Sequence, residues 1–310
     1  MEYDMPASST DVSIHGSRTE TKKKQLKRWL QLLFQSKTGT VGAIITLIVC
    51  LVGIFAPQIS PYTPDEINPA HMLVPPFWVE GGTSEHILGT DQMGRDIVSR
   101  IIYGTQISLL VGVCSVVLSG LIGLFIGLIS GYYGKWIDIV SMRLVDAFLA
   151  IPNILFTLVV LGVVGPGVVT LIFVIGVTNW VSYARIVRGE VLSIKEREFV
   201  KAARTIGVSN RMIIMRHIFP NILSSFIVIS TLTVATTILL EASLSFLGLG
   251  IQPPTVSWGG MLSDGRNYLA TNWWLATFPG LAITFTVLGI IFLGDWLRDI
   301  LDPHSQGRDL

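Results

Sequence analysis

Few residues in this chain have the types and spacing that catalysis or metal binding needs. The nearest approach to a P-loop, Gly134-Lys135-Trp136, lacks the first glycine at the required spacing and the hydroxyl that binds magnesium. His86 and His217 are metal ligands by type, but the five histidines are scattered, so solvent-facing or interfacial side chains are the simpler interpretation. We predict that the chain is not an enzyme and has no catalytic residue and no metal site.

The charges near the apolar segments give little indication of ion-coupled transport, which usually places ionisable groups inside the bilayer. Arg143 and Asp146 are spaced to pair at one end of an apolar segment, as Asp295 and Arg298 are at another. Glu241 lies about 31 Å of helix beyond the preceding proline, which predicts a place near the outer interface. An independent carrier or channel is the weaker interpretation, and it stays open.

The stretch EFVKAARTIGVSNRMIIMRHIFP, residues 198–220, is charged and lies between apolar segments. Phe199, Ala203 and Ile206 fall on one side of a predicted short helix, which Gly207 can end in the left-handed conformation. The two adjacent alanines add so little bulk that a partner's groove could close over this helix. Basic residues surround it: Lys195, Arg197, Lys201, Arg204 and Arg211. A docking helix and an ordinary basic loop are both consistent with these residues.

The elements that position these residues are membrane helices. Half of the residues are hydrophobic, 14% are charged and the mean hydropathy is +0.62, whereas a soluble domain carries about 25% charged residues. Six segments suit a hydrocarbon layer about 30 Å thick, so we predict an all-α polytopic protein. They run from about Thr40 to Ser60, Thr105 to Tyr132, Ala147 to Ala184 as a hairpin of two spans turning at Gly165-Pro166-Gly167, Pro220 to Leu247, and Leu275 to Gly294.

The basic residues predict the orientation. With the N-terminus in the cytoplasm, 19 of the 22 lysines and arginines lie inside, the exceptions being Arg95, Arg100 and Arg266. Both termini are then cytoplasmic. The net charge of +1, with no clustered basic patch, argues against a nucleic-acid partner.

These observations predict a partly disordered cytoplasmic tail (1–38), a first transmembrane helix (39–60) and an extracytoplasmic loop (61–104). A core (105–294) and a cytoplasmic C-terminal tail (295–310) follow. The core contains a cytoplasmic loop (186–219) and an outer loop (248–274). Within the core, Gly123, Gly127 and Gly131 share one helical face on which backbones can approach closely. We expect this face to pack within the core or against a companion subunit.

The 198–220 segment resembles the EAA loop of ABC importer permeases, whose pattern is Glu-Ala-Ala-x3-Gly-x9-Ile-x-Leu-Pro. Four positions match, namely Ala202, Ala203, Gly207 and Pro220. Three differ, since Lys201, His217 and Phe219 stand where the pattern has Glu, Ile and Leu. Residues 86–109, 241–259 and 294–303 are also similar to the C-type subunit of dipeptide, oligopeptide and nickel permeases, and the similarity extends over about residues 40–303.

The resemblance implies a type I importer in the bacterial inner membrane, with a first helix outside a five-helix core. Its partners would be a second permease, two ATPases that bind ATP and magnesium, and an extracytoplasmic solute-binding protein, while this chain binds no cofactor. The implied substrate is a dipeptide or oligopeptide, with nickel or another small solute as the alternative.

The resemblance also assigns residues to surfaces. Those implied to couple to the ATPases are Glu198, Phe199, Lys201, Ala202, Ala203, Arg204, Gly207 and Pro220. Those implied to lie beneath the solute-binding protein are Asp91, Arg95, Asp96 and Trp258. Trp258, Trp273 and Trp274 also suit an aromatic belt at the membrane interface, which is the simpler assignment.

Overall fold

The computed structural model describes residue 29 and residues 31–301, so the extreme tails and the disorder predicted for the N-terminal one lie outside the described residues. The described part is helical, without a named strand. Residues 31–35 are also helical. From residue 37 onward, the α-helices in chain order are α1 (Lys37–Ile54), α2 (Ala56–Ile59), α3 (Ile97–Tyr133), α4 (Lys135–Leu149), α5 (Asn153–Val164), α6 (Val168–Lys195), α7 (Glu198–Thr205), α8 (Asn210–Ile213), α9 (Phe219–Phe246), α10 (Trp258–Gly265) and α11 (Trp274–Leu301).

Five stretches of the described chain are long and apolar enough to cross a membrane: α1, α3, α6, the continuous run Asn210–Phe246, and α11. A sixth crossing is supplied only if the bent pair α4 and α5 counts as one span. This arrangement confirms an all-α polytopic protein.

The predicted third span is wrong as a straight helix beginning at Ala147. α4 and α5 meet at an angle of 81° across a break that contains Pro152. Proline disfavours helical geometry at the residue before it, which explains why the chain turns there. α5 has 12 residues, about 18 Å of helix, and is too short to cross the hydrocarbon alone. The predicted turn at Gly165-Pro166-Gly167 is confirmed, since α5 ends and α6 begins on either side of it.

Two other helices begin earlier than predicted. α3 starts at Ile97 rather than Thr105, because Asp96 caps it by accepting the backbone N–H of Ser99. The fifth span starts at Asn210 rather than Pro220, and a π-helical turn over Ile214–Ile218 joins α8 to α9. Proline has no N–H to donate to the preceding turn, and a widened turn accommodates it without breaking the helix.

The glycine face predicted on α3 packs against α6 within this chain. A Cβ added to Gly123 would lie 2.3 Å from the Cβ of Tyr183, and one added to Gly127 would lie 2.7 Å from the Cβ of Val187. Gly131 is similarly close to the next apolar side chain on α6, and its carbonyl accepts a hydrogen bond from Lys195 Nζ at 2.8 Å. The two helices can approach this closely only because α3 has no side chains here.

Candidate functional site

The short helix predicted in the 198–220 segment is present as α7. Gly207 has a φ of +81° just beyond its end. The N–H of Gly207 donates to the carbonyl of Arg204 and the N–H of Val208 donates to that of Ala203, both at 3.1 Å. This pair of bonds is the Schellman motif, in which a left-handed residue satisfies the last carbonyls of a helix. Gly207 therefore sets the point at which α7 stops.

The buried face of α7 differs from the predicted one. Val200 and Ala203 are buried, in a cluster with Ile213 and other apolar side chains of the core. Phe199 and Ile206 are instead exposed, Ile206 to 80%. Ala203 thus serves the close fit of α7 to its own bundle, because a helix of eight residues can be held only through one apolar stripe.

The outward face of α7 presents Ala202 with its charged neighbours, and Glu198 lies in the first turn. Lys201 Nζ lies 3.1 Å from Glu196 Oε2, and both side chains are exposed. The hydrogen bond from Lys201, together with its charge, lowers the pKa of Glu196 below its ordinary value. Lys201 therefore has a carboxylate partner within its own chain, although the family pattern has glutamate at its position.

Arg204 and Asn210 are tied to the end of α3 through one aromatic ring. The guanidinium carbon of Arg204 lies 5.7 Å from the ring centroid of Tyr132, within cation–π distance. The hydroxyl of Tyr132 donates to Asn210 Oδ1 at 2.7 Å. These contacts link both ends of the loop that holds Gly207 to a membrane-crossing helix.

A cavity of about 610 Å³ lies beside Pro220, and the sequence analysis did not identify it. Its lining includes Arg197, Asn221, Ser224, Ser225, Val228 and Arg298. Three of these residues, Asn221, Ser224 and Ser225, are polar and share one face of α9 at i, i+3 and i+4, a spacing that could have revealed the cavity. Ser225 Oγ donates to Glu190 Oε1 at 3.1 Å, which links α9 to α6.

The four residues implied to lie beneath a solute-binding protein are buried within this chain, so their side chains do not form a contact surface, and their place on the binding-protein side stays a prediction. Arg95 Nε lies 2.6 Å from Asp91 Oδ2, and Arg100 also binds that oxygen. Both arginines further pair with Asp264 on α10, at 3.6 Å and 3.2 Å. Two arginines and two aspartates make a neutral group, because buried charges are tolerated only when they are paired. Asp91 and Arg95 fix the architecture of this end of the bundle.

Trp258 and Trp274 are also buried, which contradicts their assignment to an interfacial belt, whereas Trp273 is 39% exposed. Trp258 Nε1 donates to the carbonyl of Ile101 at 3.0 Å, and Trp274 Nε1 donates to that of Thr90 at 3.2 Å. The indoles fasten α10 and α11 to the first turns of α3 and the loop before it. A tryptophan pattern alone does not distinguish this role from a lipid-facing one.

Two further charged residues make contacts that their spacing along the chain does not predict. Glu241 is fully buried in the bundle, where it accepts hydrogen bonds from Ser245 Oγ at 2.8 Å and Ser108 Oγ at 3.3 Å. Asp146 pairs with Arg185 across helices at 3.4 Å. The expected pairing within α4, between Arg143 and Asp146, is therefore replaced by a contact between helices, a choice that helical spacing does not determine.

His86 is buried as well, and its interpretation as a solvent-facing or interfacial side chain is wrong. Its Nδ1 lies 3.0 Å from Asp96 Oδ1. Asp96, which was implied to face a solute-binding protein, is occupied by this contact and by capping α3.

A bundle of helices long and apolar enough to cross a membrane, with one short helix held at its edge, defines an integral membrane protein. Two family models match the chain: "Binding-protein-dependent transport system inner membrane component" over residues 123–306 and "N-terminal TM domain of oligopeptide transport permease C" over residues 24–76. The chain belongs to the family of inner membrane components of binding-protein-dependent transport systems.

Several curated proteins are similar over nearly their whole length. The di/tripeptide transport system permease protein DppC of Pseudomonas aeruginosa is 38% identical, covering 91% of this chain and 93% of its own length. The dipeptide transport system permease protein DppC of Haemophilus influenzae is 43% identical, over 88% and 92% respectively. The oligopeptide transport system permease protein OppC of Bacillus subtilis is 40% identical, over 94% of both chains.

Proposed function

We propose that this chain is a permease subunit of an ATP-driven, binding-protein-dependent importer of dipeptides or oligopeptides. It forms the translocation pathway with a second permease and is coupled to two ATPases through the 198–220 segment. ATP and magnesium bind the ATPases, and this chain catalyses nothing itself. The names of its relatives support the substrate class.

The observation that carries this proposal is the outward face of α7. Three of its residues are exposed near the helix end that Gly207 sets: Phe199, Ala202 and Ile206. The helix is held to the core by Val200 and Ala203. An apolar side chain exposed to 80% beside a short helix that carries two alanines suits insertion into a partner's groove. The contacts to Tyr132 would transmit the partner's movement to α3.

The distribution of charge supports the orientation. The positive-inside rule favours a cytoplasmic position for Arg197, Arg204 and the rest of the 186–219 loop, and this supports binding of the ATPases at this end. The residues between α2 and α3 then lie outside, at the end where a solute-binding protein would deliver its cargo. Both termini are cytoplasmic in this orientation.

The coupling role is tested by replacing Ile206 with glutamate. In the transporter assembled with its partners, we expect Ile206→Glu to reduce ATPase recovery on the permease and peptide uptake at least tenfold, because a charge replaces an apolar anchor. Leu269→Glu is the control for ATPase recovery, since Leu269 is an apolar residue with 56% exposure that lies outside the 198–220 segment. Full ATPase recovery with Ile206→Glu would contradict the coupling role.

The class of transporter is tested with the purified chain alone. In liposomes without ATPases we expect no peptide flux, and substrate flux under these conditions would favour an ATPase-independent carrier or channel. The substrate class is tested separately by competition between short peptides, long peptides and nickel in cells that lack this chain. Loss of nickel uptake with unchanged peptide uptake would overturn the peptide assignment.

A further inference from the structure

A hydrogen-bond network joins distant parts of the long loop (residues 60–96) to the first turn of α3. His86 Nδ1 lies 3.0 Å from Asp96 Oδ1, and His86 Nε2 lies 3.3 Å from His71 Nδ1. Both His86 and Asp96 are at least nine-tenths buried. The proposed coupling and transport roles make no use of this network. The donors and acceptors around the two histidines determine which ring nitrogens carry protons.

Asn68 determines the protonation of His71. Its Oδ1 accepts the backbone N–H of Ala70 at 3.2 Å, a contact that only the amide oxygen can make. The amide nitrogen of Asn68 therefore faces His71 Nδ1, at 3.3 Å. Because that nitrogen is a donor, His71 Nδ1 is an acceptor without a proton. Any group that bonds to the same atom must donate as well.

Ser99 determines the state of Asp96. The N–H and the hydroxyl of Ser99 both lie 2.8 Å from Asp96 Oδ2. Ser99 Oγ accepts the backbone N–H of Tyr62 at 3.1 Å, so its own proton is free to go to the carboxylate. A helix N-terminus also favours negative charge at its cap. Asp96 thus acts as an ionised acceptor, and the group at its other oxygen, His86 Nδ1, is a donor.

We propose that His86 is a proton-binding site whose imidazolium, with a proton on each ring nitrogen, is held between the Asp96 carboxylate and His71. Nδ1–H donates to Asp96 and Nε2–H donates to His71. A neutral imidazole has only one N–H and would place two lone pairs opposite each other at one of these contacts. The bound proton therefore ties the long loop to the start of α3.

The surroundings of His86 favour a cation. Besides His86 itself, the titratable groups that line the adjoining cavity of about 100 Å³ are Tyr62, Glu66, His71, Glu85 and Asp96. None of the described residues lining it is a lysine or arginine. Burial, followed by the charges of Asp96 and Glu85, raises the pKa of the Tyr62 phenol above its ordinary value. The tilted Tyr62 ring lies 5.1 Å from that of His86.

The sign of the pH dependence follows from this arrangement. The charged form of His86 makes both contacts while His71 Nδ1 carries no proton, so its contribution is lost as rising pH removes the proton of His86. Histidine side chains ordinarily change charge between about pH 5 and pH 8. We expect the part of the long loop around Tyr62 and His86 to be held against α3 towards the acidic end of this range and to loosen at the alkaline end, while the pairing of Asp91 with Arg100 still holds the later part of the loop.

The test is hydrogen exchange, read by mass spectrometry on the intact transporter in nanodiscs from about pH 5.5 to about pH 8.5 and corrected for intrinsic exchange. In the wild type, protection of the Tyr62 and Ser99 amides should fall roughly tenfold with rising pH, the size of one charge-assisted hydrogen bond. His86→Gln should give low protection throughout. His217→Gln, which removes a histidine from the 198–220 segment, should follow the wild type.

A second variant separates the proton from a merely structural role and does not depend on His86→Gln folding. Asn68→Ser keeps an oxygen for the Ala70 N–H but removes the amide donor that faces His71. His71 Nδ1 can then carry a proton and donate to a neutral His86, so protection should persist at alkaline pH. Flat protection in the wild type would overturn the proposal, as would an unchanged pH profile in Asn68→Ser.

Discussion

The 198–220 segment and the long loop with its anchors on α3 and α10 use charged residues in opposite ways. Around α7 the charges are exposed, and Lys201 pairs with Glu196 at the surface. In the long loop the charges are buried, and Asp91 is shared by two arginines. A surface pair is weak and exchanges readily for a partner's groups, whereas a buried group is costly to disturb. One region is suited to being moved and the other to holding its shape.

The largest effect is expected from removing the centre of the buried group. Asp91→Ala leaves Arg95 and Arg100 with only the partly exposed Asp264, and should cost about 3–5 kcal/mol of stability. Thermal unfolding of the purified chain in detergent measures this loss. Asp264→Ala, which leaves both arginines paired to Asp91, should cost about 1 kcal/mol. Equal losses in the two variants would show that burial does not distinguish the two carboxylates.

The next largest effect is expected at the contact between α3 and α6. Gly127→Ala would bring a Cβ within 2.7 Å of the Cβ of Val187 and should cost about 1–3 kcal/mol. Gly162→Ala is its control, because no atom lies within 4 Å of that position and a helical alanine is preferred to glycine by up to about 1 kcal/mol. The same unfolding measurement should therefore give opposite signs for the two variants.

A smaller effect is expected at the end of α7. Gly207→Ala places a side chain at a φ of +81°, which costs about 1–2 kcal/mol although the space around it is open. Hydrogen exchange of residues 203–210 should speed up, with little change in α3. Gly189→Ala, at an equally open position within α6, should leave that exchange unaltered. If the two variants behave alike, the left-handed turn does not determine where α7 ends.

The smallest effect is expected at the surface pair. Lys201→Gln removes the hydrogen bond and charge that lower the pKa of Glu196, so that pKa should rise towards its ordinary value. In the wild type, the stabilisation from this pair is present above the unfolded-state pKa and is lost as pH falls through the lowered folded-state pKa. Side-chain NMR of labelled glutamate follows the titration. An unchanged titration in Lys201→Gln would show that the pair does not persist in solution.

Local features were predictable where chain-local physics dominates. The turn at Gly165-Pro166-Gly167 and the helix end at Gly207 depend on residues that favour particular backbone angles. The membrane-crossing segments follow from the cost of unpaired backbone groups in hydrocarbon. The start of α3 was missed although Asp96 and Ser99 have capping chemistry, because the prediction followed hydropathy and the first turns of this helix carry polar residues.

Burial of the polar side chains was not predictable in the same way. Asp91, Arg95 and Trp258 are residue types that the sequence places in loops, and loops are ordinarily exposed. Their partners lie far away in the sequence: Arg95 pairs with Asp264, and Trp258 donates to the carbonyl of Ile101. The pairing of Asp146 with Arg185 likewise depends on how α4 lies against α6.

The amino-acid sequence by itself determined that this is a helical membrane protein, where its chain turns, and which segment resembles a coupling loop, since hydropathy, glycine and proline act locally. Only the tertiary structure decided which face of α7 is exposed, that the α3 glycines meet α6, and that His86, Asp96 and the arginines near them are buried. Those outcomes depend on which distant side chains share a low-dielectric space, and spacing along the chain carries no information about that.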